Sequence, residues 1–149
     1  MDYTNYNIIK IVPGIYIGDA NTKYYENKLT NLNIHYLINI NKTLNGTTFT
    51  TYNISINTNT EYIDSSQPIN IDLNTTNEFI IKALQNNLNV LICDINYLVP
   101  ILITGAFLIR YLNVSYIECI YWLSKKTNLS IVSKNICYQL FLYYKENNQ

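Results

Sequence analysis

The feature that most constrains the fold is a pair of apolar segments separated by a short loop. Residues 90–93 (Val-Leu-Ile-Cys) form a continuous apolar run, which is typical of a central strand covered on both faces. Residues 101–112 are almost wholly apolar and predict a buried helix. Pro100 fits the first position of that helix, because a residue there needs no backbone N–H donor. The sequence therefore predicts a strand, a loop over residues 94–99 and a helix within one hydrophobic core.

Residues 90–109 are also long enough for a membrane-spanning helix. They contain Asp94, Asn96, Pro100 and Gly105, however. A proline inside a helix removes a hydrogen bond and clashes with the preceding turn. We therefore expect two buried elements here and no membrane association.

The rest of the chain alternates predicted strands and helices, which is typical of an α/β domain. Further strands are predicted at residues 15–18, after the turn Pro13-Gly14, and at residues 34–40 and 49–56. Further helices are predicted at residues 21–32, 74–85, 115–124 and 135–145. Asn74 or Thr75 is the expected N-cap of the second of these, and Ser115 with Glu118 forms a capping box at the third. We expect a single domain over residues 1–149, with a central, mainly parallel sheet of four to five strands flanked by helices.

Charge and composition exclude some classes of function. The chain has ten basic and ten acidic side chains, and Arg110 is its single arginine. Strong binding to a nucleic-acid backbone needs clustered Lys and Arg, so we do not expect it. The 24 Asn, 24 Ile and 15 Tyr residues are encoded by A/T-rich codons, which indicates an A/T-rich genome.

The three cysteines, Cys93, Cys119 and Cys137, are spaced in a way that fits no zinc motif, and His35 is the single histidine. We therefore expect no metal and no cofactor. Free thiols favour a reducing, intracellular compartment, and the first residues show no secretory signal pattern.

A strand that ends in Cys93, a short loop and a buried helix together resemble the dual-specificity protein phosphatases. In that family the loop amides and the helix N-terminus bind phosphate, and the same positive field lowers the pKa of the cysteine. The segment Ala106-Phe107-Leu108 lies at the register of the family's Ala-Tyr-Leu. The resemblance assigns a phosphate-binding loop to Cys93, Asp94, Ile95, Asn96, Tyr97, Leu98 and Val99.

The resemblance extends over nearly the whole chain. Residues 12–18 are similar to the family's opening strand, residues 32–40 to its second segment, and residues 115–119 to its Ser-x-x-Glu-Ala helix start. Asn135 and Tyr138 match an Asn-x-x-Phe near the family's C-terminus. Among relatives, the poxvirus virion phosphatase is most similar, because residues 43–56 can be laid on its equivalent segment without a gap. Together with the A/T-rich composition, this resemblance implies a viral origin.

The signature His-Cys-x-x-Gly-x-x-Arg is degenerate in this chain. Ile92 stands for the His, Asn96 for the Gly and Val99 for the Arg, while Leu98 replaces the Ser or Thr that assists the leaving thiolate. The family's Arg makes paired, charge-assisted hydrogen bonds to phosphate that a valine cannot make. Arg110 lies eleven residues beyond Val99, toward the other end of the predicted helix.

Cys93 is thus a vestigial nucleophile. Without the Arg and the His, we expect its pKa to stay near the ordinary value of about 8.5, and its side chain to be a small buried hydrophobe. The adjacent Asp94 opposes both the thiolate and a phosphate dianion.

The general acid is also missing from its expected place. The resemblance puts the acid position at Thr58 or Asn59, and neither side chain donates a proton as a carboxylic acid does. Asp64, later in the same loop, is the fallback, whereas Asp72 is simply a helix-start residue.

The sequence therefore predicts a pseudophosphatase, a phosphatase-like protein without hydrolytic activity that acts as a binding or scaffolding protein. Two alternatives stay open. The first is a weak or atypical phosphatase on phosphoprotein or RNA 5′-phosphate that uses Cys93 and Asp64, and the second is a phospho-dependent binding module without hydrolysis. The expected partner is a protein, with phosphoproteins among the candidates, in the host cytoplasm or the virion if the protein is viral. Oligomeric state stays open.

Overall fold

The structure, a computed structural model, describes residues 8–40, 48–56, 69–94, 97–127 and 133–148. The strands are β1 (Ile8–Val12), β2 (Ile15–Asp19), β3 (Ile34–Ile40), β4 (Thr50–Ile54) and β5 (Asn89–Asp94). The α-helices are α1 (Glu26–Asn31), α2 (Leu73–Gln85), α3 (Leu98–Tyr111), α4 (Tyr116–Thr127) and α5 (Lys134–Asn147), and Thr22–Tyr24 forms a short 3₁₀ helix.

The strands form one five-stranded sheet in the order β1-β2-β5-β3-β4. Strand β1 is antiparallel to β2, and the other three neighbouring pairs are parallel. This confirms the predicted α/β fold with a mainly parallel sheet, and it confirms residues 90–92 as part of a central strand. Five consecutive residues of β5, from Val90 to Asp94, are buried, as expected for a strand covered on both faces.

The two faces of β5 contribute to two separate apolar clusters, because successive side chains of a strand point to opposite faces. Val90 and Ile92 belong to the main core. Leu91 and Cys93 belong to a smaller cluster that also contains Leu29 of α1. Cys93 thus lies in a different cluster from the helix that follows it along the chain.

Helix α3 is the most buried helix, as predicted, with every residue from Val99 to Ile109 buried. The buried hydroxyl of Thr104 donates to the Pro100 carbonyl oxygen at 2.8 Å, so this polar group is satisfied within the helix. The predicted start was wrong by two residues. The helix begins at Leu98, so Pro100 occupies its third position, where a backbone N–H also has no acceptor within the helix.

The starts of three other helices are fixed by side-chain caps. The expected cap of α2 at Asn74 or Thr75 was wrong, because the Asp72 carboxylate accepts a hydrogen bond from the Thr75 amide at 3.1 Å. Ser115 precedes α4 as predicted, and its hydroxyl accepts from the Glu118 amide at 3.2 Å. Ser133 caps α5.

Three local predictions differ from the structure. The single helix predicted at residues 21–32 is instead the 3₁₀ helix and α1, separated by Tyr25, whose φ of −92° and ψ of 66° are not helical. Strand β1, a run of five residues before the Pro13-Gly14 turn, was not predicted. The strand predicted at 49–56 is shorter than expected, Thr50–Ile54. No helix in the described part of the chain is long and apolar enough to span a membrane.

Candidate functional site

The candidate site lies where the parallel strands β2, β5 and β3 end together. Gly18, Cys93 and Asn39 are aligned across these strands, and Asp19 pairs with Asp94 one residue further on. Open α/β sheets bind ligands at the carboxyl ends of their parallel strands. The structure therefore brings Cys93 to the carboxyl ends of the parallel strands, where a ligand site is expected.

Cys93 lies inside β5 and is completely buried. Its thiol lies 3.7 Å from the Ile38 carbonyl oxygen and 3.9 Å from Oδ1 of Asn39. Burial raises the pKa of the Cys93 thiol to about 12; the positive charge of Lys23 opposes this rise, and the carboxylates of Asp94 and Asp19 add to it. The prediction of an ordinary pKa was therefore wrong, because it counted the missing His and Arg but not the desolvation. The predicted small buried hydrophobe is confirmed.

A buried lysine lies beside the thiol. Lys23 is 5% exposed, and its ammonium donates to Oδ1 of Asn39 at 2.8 Å. The Asn39 amide nitrogen in turn donates to Oδ1 of Asn53 at 3.0 Å. This chain of hydrogen bonds links the segment after β2 to β3 and β4. Lys23 and Asn39 were not identified from the sequence, and the only local signal for them is their position near the carboxyl ends of β2 and β3.

Two carboxylates flank the thiol. Asp19 ends β2 and accepts a hydrogen bond from the Asn21 amide at 2.9 Å, and Asp94 ends β5 and is 1% exposed. Among the described residues, these two carboxylates and the ammonium of Lys23 sum to a formal charge of −1 around Cys93. Such a charge opposes both a thiolate and a bound phosphate dianion.

The segment after Cys93 is shorter than the predicted loop over residues 94–99. Asp94 is still in β5, Tyr97 is the N-cap position of α3, and Leu98 and Val99 are in the first turn of that helix. Ile95 and Asn96 lie outside the described residues. Burial raises the pKa of the Tyr97 phenol, and the charge of Asp19 adds to this effect.

Val99 occupies the position at which the resemblance would place the phosphate-binding Arg. Its side chain is completely buried and packs in the main core. Ile92, at the position of the signature His, is also fully buried in that core. Arg110 is exposed near the other end of α3, with its guanidinium carbon 5.5 Å from the centroid of the Tyr111 ring. The structure therefore does not bring Arg110 to the site.

The proposed acid positions, Thr58, Asn59 and Asp64, lie outside the described residues. Asp72 is a helix cap, as expected: its carboxylate accepts from the Thr75 amide and, at 2.8 Å, from the Thr75 hydroxyl. The hydrogen bonds from Thr75 lower the pKa of the Asp72 carboxyl. Among the described residues, no cluster of three or more His, Cys, Asp or Glu side chains could hold a metal ion.

No sequence-family model and no curated protein matches this chain. Solved structures share its fold. The human tyrosine phosphatase-like serine/threonine/tyrosine-interacting protein has a TM-score of 0.79 and 18% identity over 93% of this chain and 96% of that chain. A mouse putative dual specificity phosphatase complexed with zinc tungstate has a TM-score of 0.79 and 13% identity, over 98% of this chain and 91% of that one. A leucine rich repeat and phosphatase domain containing protein from Entamoeba histolytica has a TM-score of 0.77 and 18% identity, over 97% and 95%. The chain therefore has the fold of the dual-specificity phosphatases.

Proposed function

We propose that this protein is a pseudophosphatase, a dual-specificity phosphatase fold without hydrolytic activity that works by binding or holding a protein partner. The observation that carries the proposal is the state of Cys93. A nucleophilic cysteine needs an accessible thiolate. Cys93 is completely buried within a strand, and its pKa is raised to about 12.

The protonation equilibrium gives the size of this effect. With a pKa of about 12, the thiolate fraction at pH 7 is roughly one in 10⁵. An activated cysteine with a pKa below neutrality is mostly thiolate at the same pH. The difference alone would reduce the rate of nucleophilic attack by several orders of magnitude, before any loss of transition-state stabilisation is considered.

The groups that stabilise the transition state are the second support. Removing one preorganised donor of this kind typically costs about 10²–10³ in rate. Val99 is buried in the core and offers no hydrogen-bond donor on its side chain to a phosphate. The formal charge of −1 from Asp19, Asp94 and Lys23 also disfavours an anion, which argues against retained phosphate recognition at this edge of the sheet.

The kind of partner follows from what is left of the fold. A protein partner fits a chain with ten basic and ten acidic side chains and a single arginine better than a nucleic acid does. One solved protein with the same fold is named a tyrosine phosphatase-like serine/threonine/tyrosine-interacting protein. We extend the proposal to a viral protein that acts inside the host cell or in the virion, on the strength of the A/T-rich composition and the resemblance to poxvirus virion phosphatases.

Calorimetry tests the proposal directly. Phosphate, vanadate and tungstate are each titrated into the protein, followed by a phosphopeptide and the same peptide without phosphate. We expect dissociation constants in the millimolar range or weaker for the anions, and equal binding of the two peptides. Micromolar binding of any of the three anions would contradict the proposed loss of phosphate recognition at the carboxyl ends of the parallel strands. Preference for the phosphopeptide without hydrolysis would instead establish the phospho-dependent binding module.

A further inference from the structure

Helix α4 presents an apolar outer face that has no role in the candidate site. Ile117 and Tyr121 are each 65% exposed, Trp122 is 39% exposed, and Leu112 next to them is 52% exposed. These side chains line a groove of about 550 Å³ together with Val12, Leu108, Val114 and Glu118. A contiguous exposed apolar surface of this kind marks an interaction site more often than isolated apolar residues do.

The outer face is held rigidly by contacts behind it. Cys119 and Leu123 are completely buried on the inner side of α4, which fixes the rotation of the helix. The Trp122 indole N–H donates to the Ile11 carbonyl oxygen at 3.1 Å, so the ring is anchored to β1. Preorganised aromatic side chains lose little conformational entropy on binding, and Trp and Tyr are the residues that most often dominate interface energies.

Glu118 and Lys125 carry opposite charges on this face, and Lys126, whose ammonium lies 4.8 Å from the centroid of the Trp122 ring, adds a second cation. Glu118 and Lys125 lie seven residues apart, which is two helical turns and about 10.5 Å on one side of the helix. The Lys125 ammonium lies 5.6 Å from the centroid of the Tyr121 ring, so the cation belongs to the same surface. Residues Tyr121 and Trp122 lie midway between the two opposite charges.

We propose that this face binds a second copy of the chain, with the two α4 helices packed antiparallel across a two-fold axis through Tyr121 and Trp122. In an isologous contact the same patch meets itself, so residue i contacts residue j and j contacts i. The axis places Glu118 opposite Lys125 of the partner subunit, and Lys125 opposite Glu118 of the partner subunit. One helix face therefore supplies both an apolar centre and two ion pairs.

The exposed apolar area is consistent with such a dimer. A large aromatic side chain has about 150–250 Å² of surface, so the exposed parts of Leu112, Ile117, Tyr121 and Trp122 amount to roughly 500 Å² per copy. A standard interface uses about 800 Å² per partner. The apolar centre provides most of this area, and the polar rim that includes Glu118 and Lys125 provides the remainder. We expect a reversible dimer rather than a permanent one.

Sedimentation equilibrium from micromolar to submillimolar concentration measures this association. We expect wild type to approach twice the chain mass as the concentration rises. Glu118→Lys places two lysines opposite each other at both ends of the interface, and Lys125→Glu does the same with two glutamates. Each single variant should therefore weaken dimerisation by at least about tenfold.

Mixing the two single variants provides the decisive arm. In a heterodimer of Glu118→Lys with Lys125→Glu, the new lysine of one chain faces the new glutamate of the other at one end, and the native Glu–Lys pair remains at the other end. The mixture should therefore dimerise more strongly than either single variant alone. The double variant in one chain should also recover dimerisation. Glu78→Lys and Lys82→Glu, on exposed positions of α2, are the matched controls and should dimerise like wild type.

Two results would overturn the inference, provided that circular dichroism shows every variant to be folded. The first is a wild type that stays monomeric over the whole concentration range. The second is a dimer that neither single variant weakens, or that the mixture fails to restore, since such a dimer would use another surface.

Discussion

Val99→Arg restores the side chain that binds phosphate in the resembling family, and we expect it to destabilise the protein rather than repair a site. Val99 is completely buried in the first turn of α3 and packs in the main core. The substitution removes roughly 1.5–3 kcal/mol of apolar burial. It also buries a guanidinium among apolar side chains, and an uncompensated buried charge costs about 3–5 kcal/mol.

The arginine can relieve part of this cost by moving the first turn of α3 outward, so the two contributions do not simply add. We expect the free energy of unfolding to fall by about 3–5 kcal/mol, which is a large share of the 5–15 kcal/mol typical of a domain. Val99→Ala is the control for the lost apolar contacts alone, and it should cost only about 1–2 kcal/mol. Urea unfolding followed by circular dichroism gives both values, and an unchanged slope with denaturant shows that the same transition is compared.

The same experiment repeated in sulfate distinguishes a core position from a dismantled anion site. A ligand present at 100 times its dissociation constant stabilises the folded state by about 2.7 kcal/mol. We expect sulfate to stabilise Val99→Arg no more than wild type, and the variant to show no aryl phosphatase activity. A variant that loses less than about 1 kcal/mol and gains sulfate-dependent stability would refute the reasoning, because position 99 would then face an intact anion pocket.

Four further predictions concern three other sites, Cys93, Asn113 and Asp72. At pH 8, peptide mapping after iodoacetamide treatment should find Cys93 unmodified in the folded protein and Cys137, which is half-buried, modified; faster labelling of Cys93 would contradict its pKa of about 12. The pKa of the Cys93 thiol is raised from 9.0, so the protonated thiol contributes fully to stability below pH 9, and this contribution is lost as the pH rises toward 12. Unfolding should therefore become easier across this range, and less steeply so in Cys93→Ala. Asn113 follows α3 with a φ of 54°, so Asn113→Ala should cost about 1 kcal/mol and Asn113→Gly should not, and equal melting temperatures for the two would count against this. Asp72→Ala removes the cap of α2 and should cost about 1 kcal/mol at neutral pH. The lowered pKa of Asp72 means that this difference should shrink as the pH falls below 3.8, and a difference independent of pH would argue against the cap.

The sequence predicted the centre of the fold better than its periphery, and the reason is physical. Strand β3 has the predicted bounds, Ile34–Ile40, because its apolar and β-branched residues are bounded by polar Asn residues on both sides. Helix α3 was recognised because its apolar residues extend around the whole helix. Strand β1 lies at the edge of the sheet and was missed although four of its five residues are Ile or Val, because a short apolar run cannot be assigned to a strand by periodicity alone.

The candidate site was predicted in part. Cys93 was placed at the carboxyl end of a central strand, and Val99 was predicted to stand where the family has its arginine. The hydrogen bond from Lys23 to Asn39 joins residues 16 apart in sequence, and the link from Asn39 to Asn53 joins residues 14 apart. Such contacts depend on the register of strands β3 and β4, which no local pattern specifies. The raised pKa of Cys93 has the same origin, because desolvation depends on packing by distant segments.

The most direct test of the pseudophosphatase proposal is the hydrolysis of a small aryl phosphate by the purified protein beside Cys93→Ser. The two proteins are compared at equal concentration over a range of pH that includes values well above neutrality, where a buried thiol would begin to ionise. The proposal predicts that wild type and Cys93→Ser give the same background rate at neutral pH. A wild-type rate above that background that disappears in Cys93→Ser would contradict it, because Cys93 would then be an accessible nucleophile in a working site.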